Sequence, residues 1–323
     1  MMQEPPASGS SIFADHPREF TANRYVYPVL SRRAGGISIG VNLNPDKFCN
    51  FRCVYCQIDR SDPGDDEPVD LTTLAAELDR MVEWVTSGGI FQGPQFRNTA
   101  PQLRRLNDIA LSGNGEPTAC PNFEQVVDVC AEIRRRRKLD GDCPNFRVSE
   151  NGTVPLGAAE NQTGQLNGVK LVLITNAALL HQLRVRRALE TLDRNGGEIW
   201  AKLDAGTEGY YRQIDRSPVP WQRILDNLRE AAIARPIVIQ SLFLQIRGEL
   251  ASPAELAAYC QRLDEIAAGG GHIKLVQIHT IARQPAEAWA TPLADAEVDA
   301  IAELVRCRTG LPVAAFYGGG AAD

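Results

Sequence analysis

Three closely spaced cysteines, Cys49, Cys53 and Cys56, form a CxxxCxxC run. Cysteine thiolates bind zinc and iron, and a structural zinc site takes four protein ligands. Three thiolates on a [4Fe–4S] cluster leave the fourth iron open to another ligand. The spacing therefore favours an iron–sulfur cluster with one open iron.

Two other interpretations of the cysteines stay open. A zinc site would need a fourth ligand from elsewhere, and the sequence has no second CxxC or HxxxH pair to supply a ribbon or finger. A disulfide is less favoured, because no signal peptide is recognised and we expect the reducing cytoplasm. A second cluster on Cys120, Cys130 and Cys143 would match no established ligand spacing.

The cysteine run follows an alternating apolar stretch, residues 36–43, which predicts a strand that Asn44-Pro45-Asp46 ends. Five further units of strand and helix follow along the chain. Six such units predict an α/β fold with a parallel sheet, curved into a partial (β/α)6 TIM-like barrel. The predicted strands lie near 36–43, 108–111, 169–174, 198–203, 237–244 and 273–278, with an added edge at 313–316. The predicted helices lie near 70–86, 121–138, 178–194, 219–233, 253–267 and 294–307.

Polar residues collect where these strands end, which is the edge at which α/β folds place their chemistry. The glycines of one such turn allow a ligand to approach the backbone closely, and Glu116 offers a carboxylate to a ligand ammonium group. The residues are Gly113, Gly115 and Glu116, then Thr175 and Asn176, then Lys202 and Asp204, and finally His279 and Arg283.

Length and composition limit the class of protein and the number of domains. With 323 residues, 44% hydrophobic and 23% charged, the chain is typical of a globular protein. We expect one domain over 23–317, a disordered tail over 1–22, a long loop insertion at about 139–167 and a flexible tail over 318–323. No run of 18 apolar residues occurs, so no membrane span is predicted.

The net charge of −6 gives no general attraction to nucleic acid, and we expect no DNA partner. Local basic runs keep RNA as a less favoured partner, since arginine clusters bind phosphates. These runs are Arg104-Arg105, Arg134 to Lys138, and Arg184, Arg186 and Arg187.

With these residues assembled, the chain resembles the radical S-adenosylmethionine (SAM) superfamily over roughly residues 30–290. The cysteines match its CxxxCxxC motif, with Tyr55 before the last cysteine as is common there. Gly113-Asn-Gly-Glu-Pro117 resembles its GGEP motif, from which Asn114 departs. Residues 27–33, 44–47 and 278–285 are similar to bacterial Fe–S oxidoreductase-type members, a group distantly similar to wyosine-forming tRNA enzymes.

The resemblance implies a [4Fe–4S] cluster on the three cysteines and SAM on the fourth iron. It implies reductive cleavage of SAM to a 5′-deoxyadenosyl radical, hydrogen abstraction from an unidentified substrate, and a reductant such as flavodoxin or ferredoxin. The implied SAM contacts are Tyr55, Gly113, Gly115, Glu116, Thr175 and Asn176. From their positions at strand ends, Lys202 and Asp204 are further candidates for SAM, and His279 and Arg283 are candidates for substrate. The alternatives are a tRNA-modifying enzyme of this kind, or a non-catalytic iron–sulfur or zinc module.

Overall fold

Strands and helices alternate along most of the chain. The computed structural model describes Phe20 and residues 23–31, 33–61, 64, 67–139 and 168–318. The two predicted tails and the predicted loop insertion therefore lie outside the described residues, apart from Phe20, Leu139 and Gly318. None of the described helices is both long and apolar enough to cross a membrane.

Ten strands and seven α-helices are described. The strands are β1 (Val26–Ser31), β2 (Gly36–Val41), β3 (Leu106–Leu111), β4 (Lys170–Thr175), β5 (Glu198–Lys202), β6 (Ile237–Leu242), β7 (Gln245–Ile246), β8 (Ile273–His279), β9 (Ala290–Thr291) and β10 (Val313–Phe316). The helices are α1 (Leu71–Thr86), α2 (Phe123–Arg136), α3 (Leu183–Arg194), α4 (Glu208–Ile214), α5 (Trp221–Ala234), α6 (Pro253–Ala268) and α7 (Asp295–Thr309).

Eight of the strands form one sheet in the order β1-β2-β3-β4-β5-β6-β8-β10, and only β1 runs antiparallel to its neighbour. In a flat sheet of this size the edge strands would stand about 34 Å apart. Tyr27 of β1 and Phe316 of β10 instead line one cavity. The sheet is therefore curled into a half-barrel.

The six predicted β/α units are confirmed. Strands β2, β3, β4, β5, β6 and β8 are parallel, and each is followed by at least one helix. The predicted partial (β/α)6 TIM-like barrel is the observed fold. The predicted edge at 313–316 is β10, which pairs with β8.

Helix α1 illustrates how sequence sets these elements. The Asp70 side chain accepts hydrogen bonds from the backbone N–H groups of Thr72 and Thr73, as predicted for an N-cap. Buried Glu77, on the core-facing side of α1, accepts hydrogen bonds from the backbone N–H groups of Arg24, Tyr25 and Val26 at 2.7–3.1 Å. These bonds hold the start of β1 against the barrel.

Four elements were not predicted. Strand β1 adds an antiparallel edge before the first predicted strand, and α4 is a short helix between β5 and α5. Strands β7 and β9 have two residues each and form a separate antiparallel pair. The two-residue strands β7 and β9 carry too few residues for a periodic pattern.

Glu198, at the start of β5, lies opposite the functional end of the sheet. Its carboxylate accepts hydrogen bonds from Lys170 at 2.9 Å and Lys274 at 2.5 Å. Burial alone would raise the pKa of Glu198, but the two ammonium groups hold it down at about 2. The carboxylate is therefore ionised and stabilising in the folded chain.

We expect Glu198→Gln to lower the free energy of unfolding by about 3 kcal/mol at pH 7, since one pKa unit is worth about 1.4 kcal/mol. The folded pKa lies below the unfolded value of about 4.3, so the contribution is complete above about pH 5 and fades towards pH 2. Urea unfolding at several pH values measures this. Glu190→Gln, at an exposed position of α3, is the matched control. A pH-independent difference between Glu198→Gln and the native chain would contradict the expectation.

Candidate functional site

The three cysteines lie in the segment between β2 and α1, and we call residues 44–57 the cysteine loop. Three other parts of the chain hold its backbone. The bonds run from Glu116 N–H to Phe48 O (3.0 Å), from Arg52 N–H to Asp215 O (2.9 Å), from Val54 N–H to Ile214 O (2.8 Å) and from Ala286 N–H to Cys56 O (2.9 Å). The loop is thus fixed by the turn after β3, by the end of α4 and by the segment after β8.

A cavity of about 340 Å³ lies inside the half-barrel below this loop. Nearly every predicted site residue lines it. These are Cys49, Cys53, Cys56, Tyr55, Gly113, Gly115, Glu116, Thr175, Asn176, Lys202, His279 and Arg283. Asp204 is not part of the lining and stands behind Tyr55, whose hydroxyl donates a hydrogen bond to it.

The three thiols have different neighbours. The Cys49 sulfur accepts from the Phe51 N–H at 3.4 Å and from Asn176 Nδ2 at 3.8 Å. Burial, then the charge of Glu116, raises the pKa of Cys49 to about 11. Burial, with the nearby Asp215, also raises the pKa of Cys53 well above its usual value. A bound metal must therefore displace protons from these thiols.

Gly113 and Gly115 are required by the packing of the turn against the cysteine loop. A Cβ on Gly115 would lie 1.8 Å from the Phe48 carbonyl oxygen, and one on Gly113 would lie 2.2 Å from Asn42 Oδ1. The sequence predicted that these glycines admit a ligand to the backbone. The described contacts show that the missing side chains leave room for Asn42 and for the Phe48 carbonyl of the cysteine loop.

Glu116 connects the turn after β3 to the end of β4. Its Oε1 accepts from the hydroxyls of Thr118 and Thr175, both at 2.6 Å, and its Oε2 accepts from the Asn176 N–H at 2.8 Å. Burial raises the pKa of Glu116, although these donors oppose the shift. Both oxygens are thus engaged within the chain, so Glu116 positions Thr175 and Asn176.

Tyr55, Lys202 and Asp204 form a buried polar network beside Cys53. Lys202 Nζ donates to the Tyr55 hydroxyl at 2.9 Å and lies 3.9 Å from Asp204 Oδ2. Burial alone would lower the pKa of Lys202, but Asp204 and the acidic groups around it raise the pKa above its usual value. The ammonium group is therefore charged at the cavity wall. Lys202 and Asp204 point the same way, as strand alternation predicts.

Two ionisable residues outside the predicted set contact the cysteines, and burial raises the pKa of one of them, Asp215, well above its usual value. Arg60 Nη1 lies 3.1 Å from the Cys56 sulfur, and the Cys53 sulfur lies 3.4 Å from Asp215 Oδ1. Arg60 was in a loop with no periodic pattern, and Asp215 follows the unpredicted helix α4. Only the proximity of Arg60 to the cysteine run in sequence could have indicated it.

Gln240 is a third residue that sequence reasoning missed. It is fully buried on β6 and lines the cavity, and its Nε2 donates to Gln277 Oε1 at 2.8 Å. Among the described residues, its Oε1 has no hydrogen-bond partner. Buried polar groups are generally paired, so this oxygen suits a ligand that donates an N–H or O–H.

The basic runs behind the RNA alternative make contacts within the chain. Some of their arginines donate to main-chain carbonyls, and others pair with carboxylates. The contacts are Arg104 Nε to Thr99 O (2.9 Å), Arg134 Nη1 to Asn195 O (2.8 Å), Arg136 and Arg137 to Asp79 (both 2.6 Å), and Arg186 to Glu230 (2.5 Å). These arginines join structural elements, which weakens the case for a phosphate-binding surface.

Within the described ranges, no three His, Cys, Asp or Glu side chains converge closely enough to hold one metal ion. Zinc gathers its ligands on a single ion, whereas a cluster takes one thiolate per iron. Of the other cysteines, Cys130 is in the core and Cys120 donates to Asn122 Oδ1 at 3.2 Å. Cys143 lies outside the described residues.

The family model of the radical SAM superfamily matches residues 43–260, which include the cysteine loop, the turn after β3 and strands β3 to β7. The chain belongs to the radical SAM superfamily. Its enzymes bind a [4Fe–4S] cluster and SAM, and both are therefore the cofactors of this chain. The family prediction made from the cysteine and glycine motifs is confirmed.

Relatives are distant. A UPF0026 protein of Helicobacter pylori strain J99 is 21% identical over 210 residues, which are 64% of this chain and 50% of that protein. A UPF0026 protein of Methanocaldococcus jannaschii is 25% identical over 207 residues, 64% of this chain and 48% of that protein. The chain thus spans about half the length of the curated relatives it matches.

One of two solved structures to which the chain is similar shares its fold. A radical SAM methyltransferase from Sphaerobacter thermophilus is 13% identical with a TM-score of 0.53, covering 90% of this chain and 69% of that chain. A structure of TYW1 with a lysine-pyruvate adduct bound is 15% identical, covering 83% of this chain and 72% of that chain. Its TM-score of 0.48 is too low to carry an argument.

The residues of the cavity fit both cofactors. Cysteine thiolates are the ligands that [4Fe–4S] clusters take, and three of them line one cavity. Its volume of about 340 Å³ lies within the range of about 300–1,000 Å³ typical of ligand pockets. The wall carries both a charged ammonium group and backbone carbonyls, which suit the carboxylate and ammonium of an amino acid.

We expect Gly115→Ala to lower the free energy of unfolding by about 3 kcal/mol, because the added methyl would overlap the Phe48 carbonyl. Gly209→Ala is the matched control, since a Cβ there meets no atom within 4 Å, and it should change stability by less than about 1 kcal/mol. Urea unfolding of the cofactor-free chain compares the two. Equal free energies of unfolding for Gly115→Ala and Gly209→Ala would contradict the packing argument.

Proposed function

We propose that the chain is a radical SAM enzyme in which Cys49, Cys53 and Cys56 bind the cluster and the turn after β3 binds SAM. The supporting observation is that the three thiols, this turn and the end of β4 line one cavity. When bound, the cofactors supply the radical: one electron from the reduced cluster breaks a C–S bond of SAM, giving methionine and a 5′-deoxyadenosyl radical that abstracts hydrogen from substrate.

The turn after β3 would receive the methionyl part of SAM. Because Glu116 is engaged by Thr118, Thr175 and Asn176, its role in this proposal is to hold the turn in place. The main-chain groups of Gly113 and Gly115 then face the ammonium. Asn176 and Thr175 are held by the same carboxylate and would contact the adenosine.

Lys202 would bind the SAM carboxylate or an anionic group of the substrate. Its ammonium group has three N–H donors, and one of them donates to the Tyr55 hydroxyl. Tyr55 in turn donates to Asp204, which also accepts from the Leu242 N–H at 2.8 Å. Asp204 therefore acts through Tyr55, by fixing the ring and the ammonium at the wall.

The substrate would bind beside β6 and β8. His279 and Arg283 line the cavity at the end of β8, and Arg283 Nη1 lies 3.2 Å from Gln57 Oε1 of the cysteine loop. Gln240 adds a buried acceptor on the neighbouring strand. These groups favour a polar substrate that carries an N–H or O–H donor. The electron would come from a reductant of the flavodoxin or ferredoxin kind.

The proposed function predicts the outcome of anaerobic reconstitution. The native chain should take up four irons. With dithionite and SAM it should release 5′-deoxyadenosine, because the cluster and SAM would bind in the same cavity. Cys49→Ser, Cys53→Ser and Cys56→Ser should each lower the release by about 100-fold or more. Mass spectrometry of the nucleoside and iron analysis measure both.

Cys307→Ser is the matched control, because Cys307 is exposed on α7 outside the cavity. It should match the native chain in iron and in nucleoside. A full cluster without 5′-deoxyadenosine would contradict the proposed function. One zinc and no iron, in protein purified without oxygen, would instead support a non-catalytic metal module.

A further inference from the structure

Arg60 links three parts of the site. Its Nη1 donates to the Cys56 sulfur at 3.1 Å, its Nε to Lys47 O at 3.0 Å and its Nη2 to Asn114 O at 3.3 Å. A guanidinium group has five N–H donors in a rigid plane, so one side chain can hold all three acceptors at once. Arg60 therefore ties the last cysteine to the start of its loop and to the turn after β3.

The charge of Arg60 is directed at the thiol. Within the described residues, no carboxylate forms an ion pair with its guanidinium group. The side chain is half-buried in the cavity wall, where solvent screens a charge less than at the open surface. The Cys53 and Cys49 thiols have no cation at hydrogen-bond distance among the described residues, so Arg60 distinguishes Cys56 from them.

We propose that Arg60 is a positioning residue that raises the reduction potential of the cluster by donating a charged hydrogen bond to Cys56. This rests on the proposed function, because it requires the cluster to be bound by these cysteines. Reduction adds one electron and therefore one negative charge, which a cation beside a ligand thiolate stabilises. Hydrogen bonds to cluster sulfurs and partners behind the ligands are known determinants of potential.

The same side chain also fixes the main chain at Asn114, the position where the turn departs from the GGEP pattern. The Asn114 carbonyl oxygen accepts a hydrogen bond from Arg60, and the Asn114 N–H donates to Asn42 Oδ1 at 3.0 Å. The carbonyl is therefore directed towards the cysteine loop. Arg60 thus holds the main chain of the turn at this position as well as Cys56.

The test is a redox titration of the reconstituted cluster without SAM, followed by electron paramagnetic resonance. Arg60→Gln should lower the equilibrium constant for reduction about tenfold, which is a shift of about 59 mV to more negative potential for one electron. Arg60→Lys keeps the charge but loses the planar fork, and it should shift the potential in the same direction by a smaller amount.

Arg52→Gln is the matched control. Arg52 is an exposed arginine of the cysteine loop, and its variant loses the same charge without a thiol contact. The proposal requires a larger shift for Arg60→Gln than for Arg52→Gln at equal iron content. Equal shifts, or none, would overturn it.

Three further outcomes separate this inference from the proposed function. If Arg60→Gln takes up too little iron to titrate, the comparison is made on Arg60→Lys, and an unchanged potential there overturns the proposal. If the native chain itself takes up no cluster, the proposed function fails and this inference fails with it. A native cluster with an unchanged potential in both Arg60 variants overturns the inference alone.

Discussion

The contact between the cysteine loop and the turn after β3 is the constraint on which the rest of the site depends. The Phe48 carbonyl accepts the Glu116 N–H and occupies the space where a side chain on Gly115 would lie. Because β2 and β3 are adjacent and parallel, their carboxyl ends are only about 4.8 Å apart. Two loops that leave the sheet so close together can pack against each other only if one of them lacks side chains at the contact. The glycines of the turn therefore place the thiols at the cavity before any ligand is bound.

The acidic side chains buried near the thiols need hydrogen-bond partners, and this is the second requirement for a stable site. Glu116, Asp204 and Asp215 are all buried near the thiols, and an unpaired buried carboxylate would be strongly destabilising. Glu116 is matched by hydroxyls and an N–H, Asp204 by Tyr55 and the Leu242 N–H, and Asp215 by Cys53. The polar groups that would serve the ligands are therefore the same groups that hold the strand ends together. Stability and function share these residues, so their substitution should affect both.

The sequence predicted the repeated elements well and the connections between them poorly. All six β/α units were recognisable because each strand or helix carries a periodic pattern long enough to detect, as in α1 with its Asp70 cap. The residues at strand ends were then predicted from topology alone, and all but Asp204 reach the cavity lining. Arg60, Asp215 and Gln240 were missed because their roles depend on which side chain lies across a loop or a strand. Long-range contacts of this kind leave no local pattern.

The neighbours of the three thiols are unequal, and this has a consequence for the motif itself. Cys56 lies beside a cation, Cys53 beside a carboxylate and Cys49 beside two neutral N–H donors. The CxxxCxxC spacing specifies how many thiolates are available, but none of these neighbours lies within it except Phe51. Since electrostatics around the ligands tune the chemistry of a metal site, proteins with the same motif can differ in how readily they accept an electron. The motif therefore predicts the class of cofactor, whereas the groups that surround each thiol, such as Arg60 and Asp215, come from residues outside the motif.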